Sequence, residues 1–136
     1  MQELPEVSFS KRETELVSKP LFSKIATIGK DGTPQITPTW FTFENGRFIV
    51  VTPEKSVKIR NLRRDPRVSI LVDDGYEYVA IKGRAKINTS RNVERDTERQ
   101  VERYMGKEKT KEMTAEILKV KHIAVEITPE KVFSQF

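Results

Sequence analysis

Phe48-Ile49-Val50-Val51-Thr52-Pro53-Glu54-Lys55-Ser56-Val57-Lys58 is the stretch on which the fold turns. Its first four residues are β-favouring and apolar, and they read as a strand that delivers the chain to Thr52. A helical pattern starts around Glu54 and continues through Asn61 and Leu62 to Arg64. The hydroxyls of Thr52 and Ser56 and the ammonium groups of Lys55 and Lys58 therefore gather where a strand hands over to a helix. Free backbone N–H groups and the positive end of the helix dipole favour an anion at such a place. A phosphate, carried by a cofactor, is the economical ligand. The competing reading is an ordinary helix cap beside a solvated lysine.

Working outward, the flanks are mostly strands and turns. Residues Ser10 to Ser18 suggest a short opening helix with Leu16 and Val17 behind a charged stretch, ended by Pro20. Ser23 to Ile28 reads as a strand, Lys30-Asp31-Gly32 as a tight turn, and Pro34 to Phe43 as a second strand. Pro38 removes a ladder donor there, so that strand needs a gap, a bulge or a free edge. Glu44-Asn45-Gly46 turns the chain into the strand from Phe48 to Thr52. The helix from Glu54 sends Val57, Ile59 and Leu62 to the core and stops at Asp65-Pro66. Arg67 to Asp73 alternates, with Val68, Ile70 and Val72 on one face. Tyr76 to Ile87 is a long strand in which Gly83 marks a bulge or a close approach. Two helices follow, Ser90 to Met105 and about Glu108 to Val120. A last strand runs from His122 to Thr128, ended by Pro129. Six mostly antiparallel strands interrupted by helices make a small barrel with helices outside.

The totals set bounds. The 136 residues suit one domain, with residues 1–20 as a helical segment packed on it. Charged residues make up 33% of the chain and the formal net charge is +5, spread along the whole length. The absence of cysteine excludes disulfides and thiolate catalysis, and one histidine excludes a His-rich metal site. Met1 to Pro5 lacks the basic and apolar regions of a signal peptide, and no apolar run reaches the length of a membrane span. A cytoplasmic protein is expected, with no membrane and no nucleic acid among its partners. The basic run Arg60, Arg63, Arg64, Arg67 lacks interleaved aromatics and is interrupted by Asp65, so it reads as surface charge or part of an anionic site. Trp40 reads as core or interface packing, and His122 as an exposed residue at the start of a strand. The alternating Arg and Glu residues from Arg91 to Arg103 read as a solvated, salt-bridged face.

The order of elements, and the runs Ala26-Thr27-Ile28 with Asp31-Gly32, Pro38-Thr39-Trp40-Phe41, and Thr52 through Val68, resemble the FMN-binding split-barrel family, whose namesake is pyridoxamine 5'-phosphate oxidase. Lys58 to Pro66 and Val79 to Ala85 are most similar to the branch that uses the deazaflavin coenzyme F-420. The resemblance implies a six-stranded antiparallel split β-barrel with peripheral helices, mostly β with some α. It implies a homodimer with cofactor sites at the subunit interface, and coenzyme F-420 or FMN as cofactor. Gln35, Thr37 and Thr39 would face the ring, with backbone around Pro38 helping. Thr52, Ser56 and Lys58 would hold the phosphate, Lys55 would add charge, and Asn61 would orient the helix. Pyridoxamine phosphate oxidases commonly carry arginine between that serine and lysine, and Val57 stands there instead, which argues against pyridoxamine oxidase activity. The implied function is hydride transfer between the cofactor and a small conjugated organic substrate, with no catalytic side chain assigned. The alternative is a non-catalytic FMN or deazaflavin carrier.

Overall fold

The computed structural model describes residues 7–136. Met1 to Glu6 lie outside the described residues, as does that part of the expected opening segment. Helix α1 (Lys11–Val17) starts on a capping box: the Ser10 hydroxyl accepts from the Glu13 N–H, and the Glu13 carboxylate accepts from the Ser10 N–H. Leu16 and Val17 are its buried face. Strands β1 (Ser23–Ile28), β2 (Pro34–Thr39), β3 (Thr42–Glu44) and β4 (Arg47–Pro53) follow, then helix α2 (Val57–Arg64) and strands β5 (Arg67–Asp73) and β6 (Tyr78–Ile87). Helices α3 (Val93–Met105) and α4 (Thr110–Ile117) precede β7 (His122–Gln135).

All pairings are antiparallel, in the order β2-β1-β5-β6-β7-β4-β3. The two edge strands, β2 and β3, are separated in the chain by Trp40 and Phe41 alone. A flat sheet of this width would put its outer strands about 29 Å apart. Two intervening residues can span no more than about 11 Å. The sheet therefore curls into a barrel that stays open between its edges.

Register sorts the side chains by face. Ile25, Ile70 and Ile81 lie opposite one another across β1, β5 and β6, and face inward with Phe48, Val50, Val125 and Ile127. Each large apolar side chain taken fully out of water contributes about 1.5–3 kcal/mol. The outer face carries Lys24, Leu71, Ala80 and Phe133 in one row, and Ile36, Ala26, Ser69 and Lys82 in the next. Ile36, Leu71 and Phe133 are exposed there.

Four expectations are corrected. The second strand is two strands, which makes seven instead of six. Fully buried Phe41 breaks it: its N–H donates to the Tyr104 hydroxyl at 3.1 Å, and that hydroxyl faces the Leu21 carbonyl at 2.9 Å. Helix α2 begins at Val57, because the Ser56 hydroxyl caps it and Pro53 to Ser56 forms a turn. Val57 itself is 42% exposed and contributes nothing to the core. The last strand runs on past Pro129. That proline lies beyond the β4 pairing and beside a register shift opposite Gly83, so its missing N–H costs no ladder bond to β4. Gly83 is required at this point, because a Cβ there would lie 2.3 Å from the Thr128 carbonyl oxygen. Pro38 sits on the free-edge strand without a bulge, one of the three options its sequence position allowed.

Candidate functional site

The junction between β4 and α2 is built locally. Thr52 is buried at the end of β4, and its hydroxyl lies 3.4 Å from that of Ser56. Ser56 has extended backbone, and its hydroxyl accepts from the Ile59 N–H at 3.3 Å. The first N–H groups of a helix have no intrahelical acceptor. Among the described residues, those of Val57 and Lys58 find no acceptor. The first turn of α2 holds no acidic residue, whereas α1, α3 and α4 each carry at least one.

Lys58 is half-buried, and desolvation pulls its pKa below the ordinary lysine value. Among the described residues no carboxylate pairs with it. A cation taken partly out of water without a counter-ion is costly unless an anion arrives. These observations fit a phosphate-bearing group: two free N–H donors, one uncompensated ammonium, and no acidic residue in the first turn of α2, the Glu54 carboxylate of the preceding turn being paired with Lys121 at 3.0 Å. Lys55 is exposed in the preceding turn, where its carbonyl accepts from Arg60.

The other expected site residues divide. Gln35, Thr37 and Thr39 are half-buried on one face of β2, while Pro38 projects from the opposite, exposed face. Asn61 is buried, and its amide nitrogen donates to the Thr27 hydroxyl at 3.0 Å and to the Gln35 Oε1 at 3.3 Å. Its Oδ1 accepts from Arg64 at 2.9 Å. Asn61 therefore ties α2 to β1 and β2, in keeping with an orienting role. Gln35 and Asn61 also line an open cleft of about 820 Å³ with Lys30, Arg60 and Arg64. A second cavity, about 250 Å³, lies between Thr39 and Trp40 on one side and Val51 and His122 on the other. It takes in Thr97 and Gln100 of α3 and Ile117 of α4. Sequence reasoning passed over Gln100. Its signal was an amide in the stripe of Thr97, Val101 and Tyr104, where apolar residues are the rule. His122 is half-buried against this cavity, not simply exposed. Trp40 stacks on Tyr104 with centroids 5.0 Å apart.

The charged start of α3 also departs from expectation. Arg91 and Asp96 are not on a solvated face. Arg91 pairs with Asp96, Glu126 and Glu44, and Asp96 is buried. Burial works against the charge of Glu126, but Arg91 and Asn88 outweigh it and hold its pKa below the ordinary value.

A curled antiparallel sheet left open at one seam, with helices packed around it, defines the chain as a split barrel. Residues 9–136 match the model of the pyridoxamine 5'-phosphate oxidase family, and the chain belongs to that family. Among solved structures, the conserved hypothetical protein Rv2991 from Mycobacterium tuberculosis is 31% identical with a TM-score of 0.81, the match covering 98% of this chain and 89% of that one. An F-420 reductase is 22% identical with a TM-score of 0.72, covering 92% of this chain and 98% of that one. HutZ, the heme storage protein of Vibrio cholerae, is 17% identical with a TM-score of 0.68, covering 88% and 89%. The last two are alike in fold alone. No helix among the described residues is long and apolar enough to cross a membrane.

Proposed function

We propose that this chain is an oxidoreductase that moves a hydride between coenzyme F-420 or FMN and a small conjugated organic substrate. The observation that carries the reading is Lys58, half-buried without a counter-ion at a helix start free of carboxylates. Family membership and the likeness in fold to an F-420 reductase support it. The bound ring would supply the hydride chemistry. The chain's part is to bind and orient. Lys58, the Val57 and Lys58 N–H groups and the Ser56 and Thr52 hydroxyls hold the phosphate. Gln35, Thr37 and Thr39 border the ring from β2. Lys30, Arg60 and Arg64 outnumber the one carboxylate, Asp31, in the adjoining cleft and suit it to the acidic tail of the deazaflavin, which is why that cofactor is favoured over FMN. Val57, in place of the arginine common in pyridoxamine phosphate oxidases, argues against their substrate.

The reading includes a homodimer. The uncovered outer face, with exposed Ile36, Leu71 and Phe133 beside a groove of about 420 Å³ rimmed by Arg67, Lys82 and Lys131, is suited to a second copy.

Fluorescence titration with each cofactor tests the assignment. Saturable binding of coenzyme F-420 or FMN is expected, weakened by Lys58→Met and further by Lys55→Met with Lys58→Met. Unchanged affinity in the double variant would overturn it. Turnover with a panel of acceptors separates an enzyme from a carrier.

A further inference from the structure

We propose that the 250 Å³ cavity between Trp40 and His122 is the substrate pocket, and that it selects a single-ring molecule whose edge carries O–H or N–H donors. The inference rests on the oxidoreductase reading above and names the substrate class that reading leaves open.

Place comes first. Thr39 ends β2, the strand assigned to the ring, and Val51 immediately precedes Thr52. His122 lies directly opposite Pro53 in the β4–β7 ladder, and the Lys121 carbonyl accepts from the Glu54 N–H at 3.0 Å. The cavity therefore adjoins both the ring strand and the phosphate junction. Its volume falls below the range of roughly 300–1,000 Å³ usual for drug-sized ligands, so a single ring fits and a fused polycycle does not.

Polarity comes second. Gln100 is 3% exposed, and its side-chain nitrogen donates to the Ile49 carbonyl at 3.0 Å. A carbonyl only accepts, so the amide nitrogen must face Ile49, and the orientation of the amide follows from that partner. This leaves the Gln100 Oε1 with no partner among the described residues. His122 Nδ1 lies 2.7 Å from the Val120 carbonyl, so by the same logic it carries the hydrogen. In the neutral ring Nε2 is then an open acceptor. The Thr97 and Thr39 hydroxyls donate to the Val93 and Trp40 carbonyls, leaving lone pairs. The hydrogens still to be used are the Trp40 indole N–H and the second one on the Gln100 amide. Acceptors therefore outnumber donors, and a ligand that brings O–H or N–H groups pairs acceptors the protein itself leaves unmatched. One face of Trp40 is stacked on Tyr104, and its other face complements a ring.

The chain's single tryptophan gives one indole N–H signal in an NMR spectrum, and resorcinol with its dimethyl ether is the probe pair. Resorcinol should shift that signal saturably, and the ether should bind about tenfold more weakly. Gln100→Leu should remove the preference. His122→Phe, at the half-buried start of β7, should weaken resorcinol by a similar factor and serves if the Gln100 variant fails to fold. An unmoved signal, equal affinities of diol and diether, or competition between resorcinol and the cofactor would overturn the proposal. Resorcinol binding to a protein that takes neither cofactor would instead sink the oxidoreductase reading alone.

Discussion

Two helices of this protein begin just after strands, and each start holds a cation withdrawn from water. At the start of α3, Arg91 is 20% exposed and meets three carboxylates, Asp96, Glu44 and Glu126. At the start of α2, Lys58 is half-buried and meets none among the described residues. Both helices have side-chain caps, Asn92 and Ser56, so capping does not distinguish them. The difference lies in what completes each charge. The Arg91 cluster closes on itself and welds α3 to β7 and to the end of β3. The Lys58 junction is left open, and an uncompensated buried cation is tolerated where a ligand supplies the anion.

The sharpest way to break the comparison is Arg91→Met. It leaves the carboxylates of Asp96 and Glu126 without their cation, Glu44 keeping Arg99 at 3.0 Å, and should cost about 3 kcal/mol in a denaturant melt. Lys58→Met should do the opposite to the apoprotein, leaving its stability unchanged or raised. Cofactor affinity should fall roughly ten- to a hundredfold in a fluorescence titration, the worth of a charge-assisted hydrogen bond. A stable Arg91 variant, or a Lys58 variant with full affinity, would erase the contrast.

Both sites should make the apoprotein more stable as pH rises, but in different windows and for opposite reasons, one acidic and one alkaline. Glu126 has a lowered pKa in the folded state, so its stabilisation is present above the ordinary carboxylate value of 4.5 and fades as pH falls through the folded one. Lys58 also has a lowered pKa, but it is a base. The unfolded chain therefore binds more protons between the folded value and 10.5, and apoprotein stability gains from Lys58 as pH rises through that window. Melts of wild type and Lys58→Met across alkaline pH isolate this gain, which the variant should lack. The smallest effect is expected from Val57→Glu, which gives α2 the first-turn carboxylate it lacks. It should stabilise the apoprotein by about 0.3–1 kcal/mol and weaken cofactor binding measurably.

Much of this was legible in the chain before folding. The β4–α2 junction could be read because its parts are contiguous: a β run, a capping serine and a lysine two residues on. Gly32, Gly46 and Gly75 mark turns because each adopts positive φ, a local demand. The Arg91 cluster was misread as solvated for the opposite reason. Its partners Glu44 and Glu126 are 47 and 35 residues away in sequence. The break at Phe41 was hidden too, since it depends on Tyr104, 63 residues on.

Sequence by itself determined the alternation of strands and turns, the single curled sheet with its helices, and the strand-to-helix junction with its capping serine and adjacent lysine. These follow from hydrophobic period, turn chemistry and capping, which act over a few residues. Only the tertiary structure decided which cations found carboxylates, where the second strand breaks, how β7 passes Pro129, and that Trp40, Gln100 and His122 border one cavity. Those outcomes depend on contacts between distant segments, which come into being only when the sheet curls and brings its two edges together.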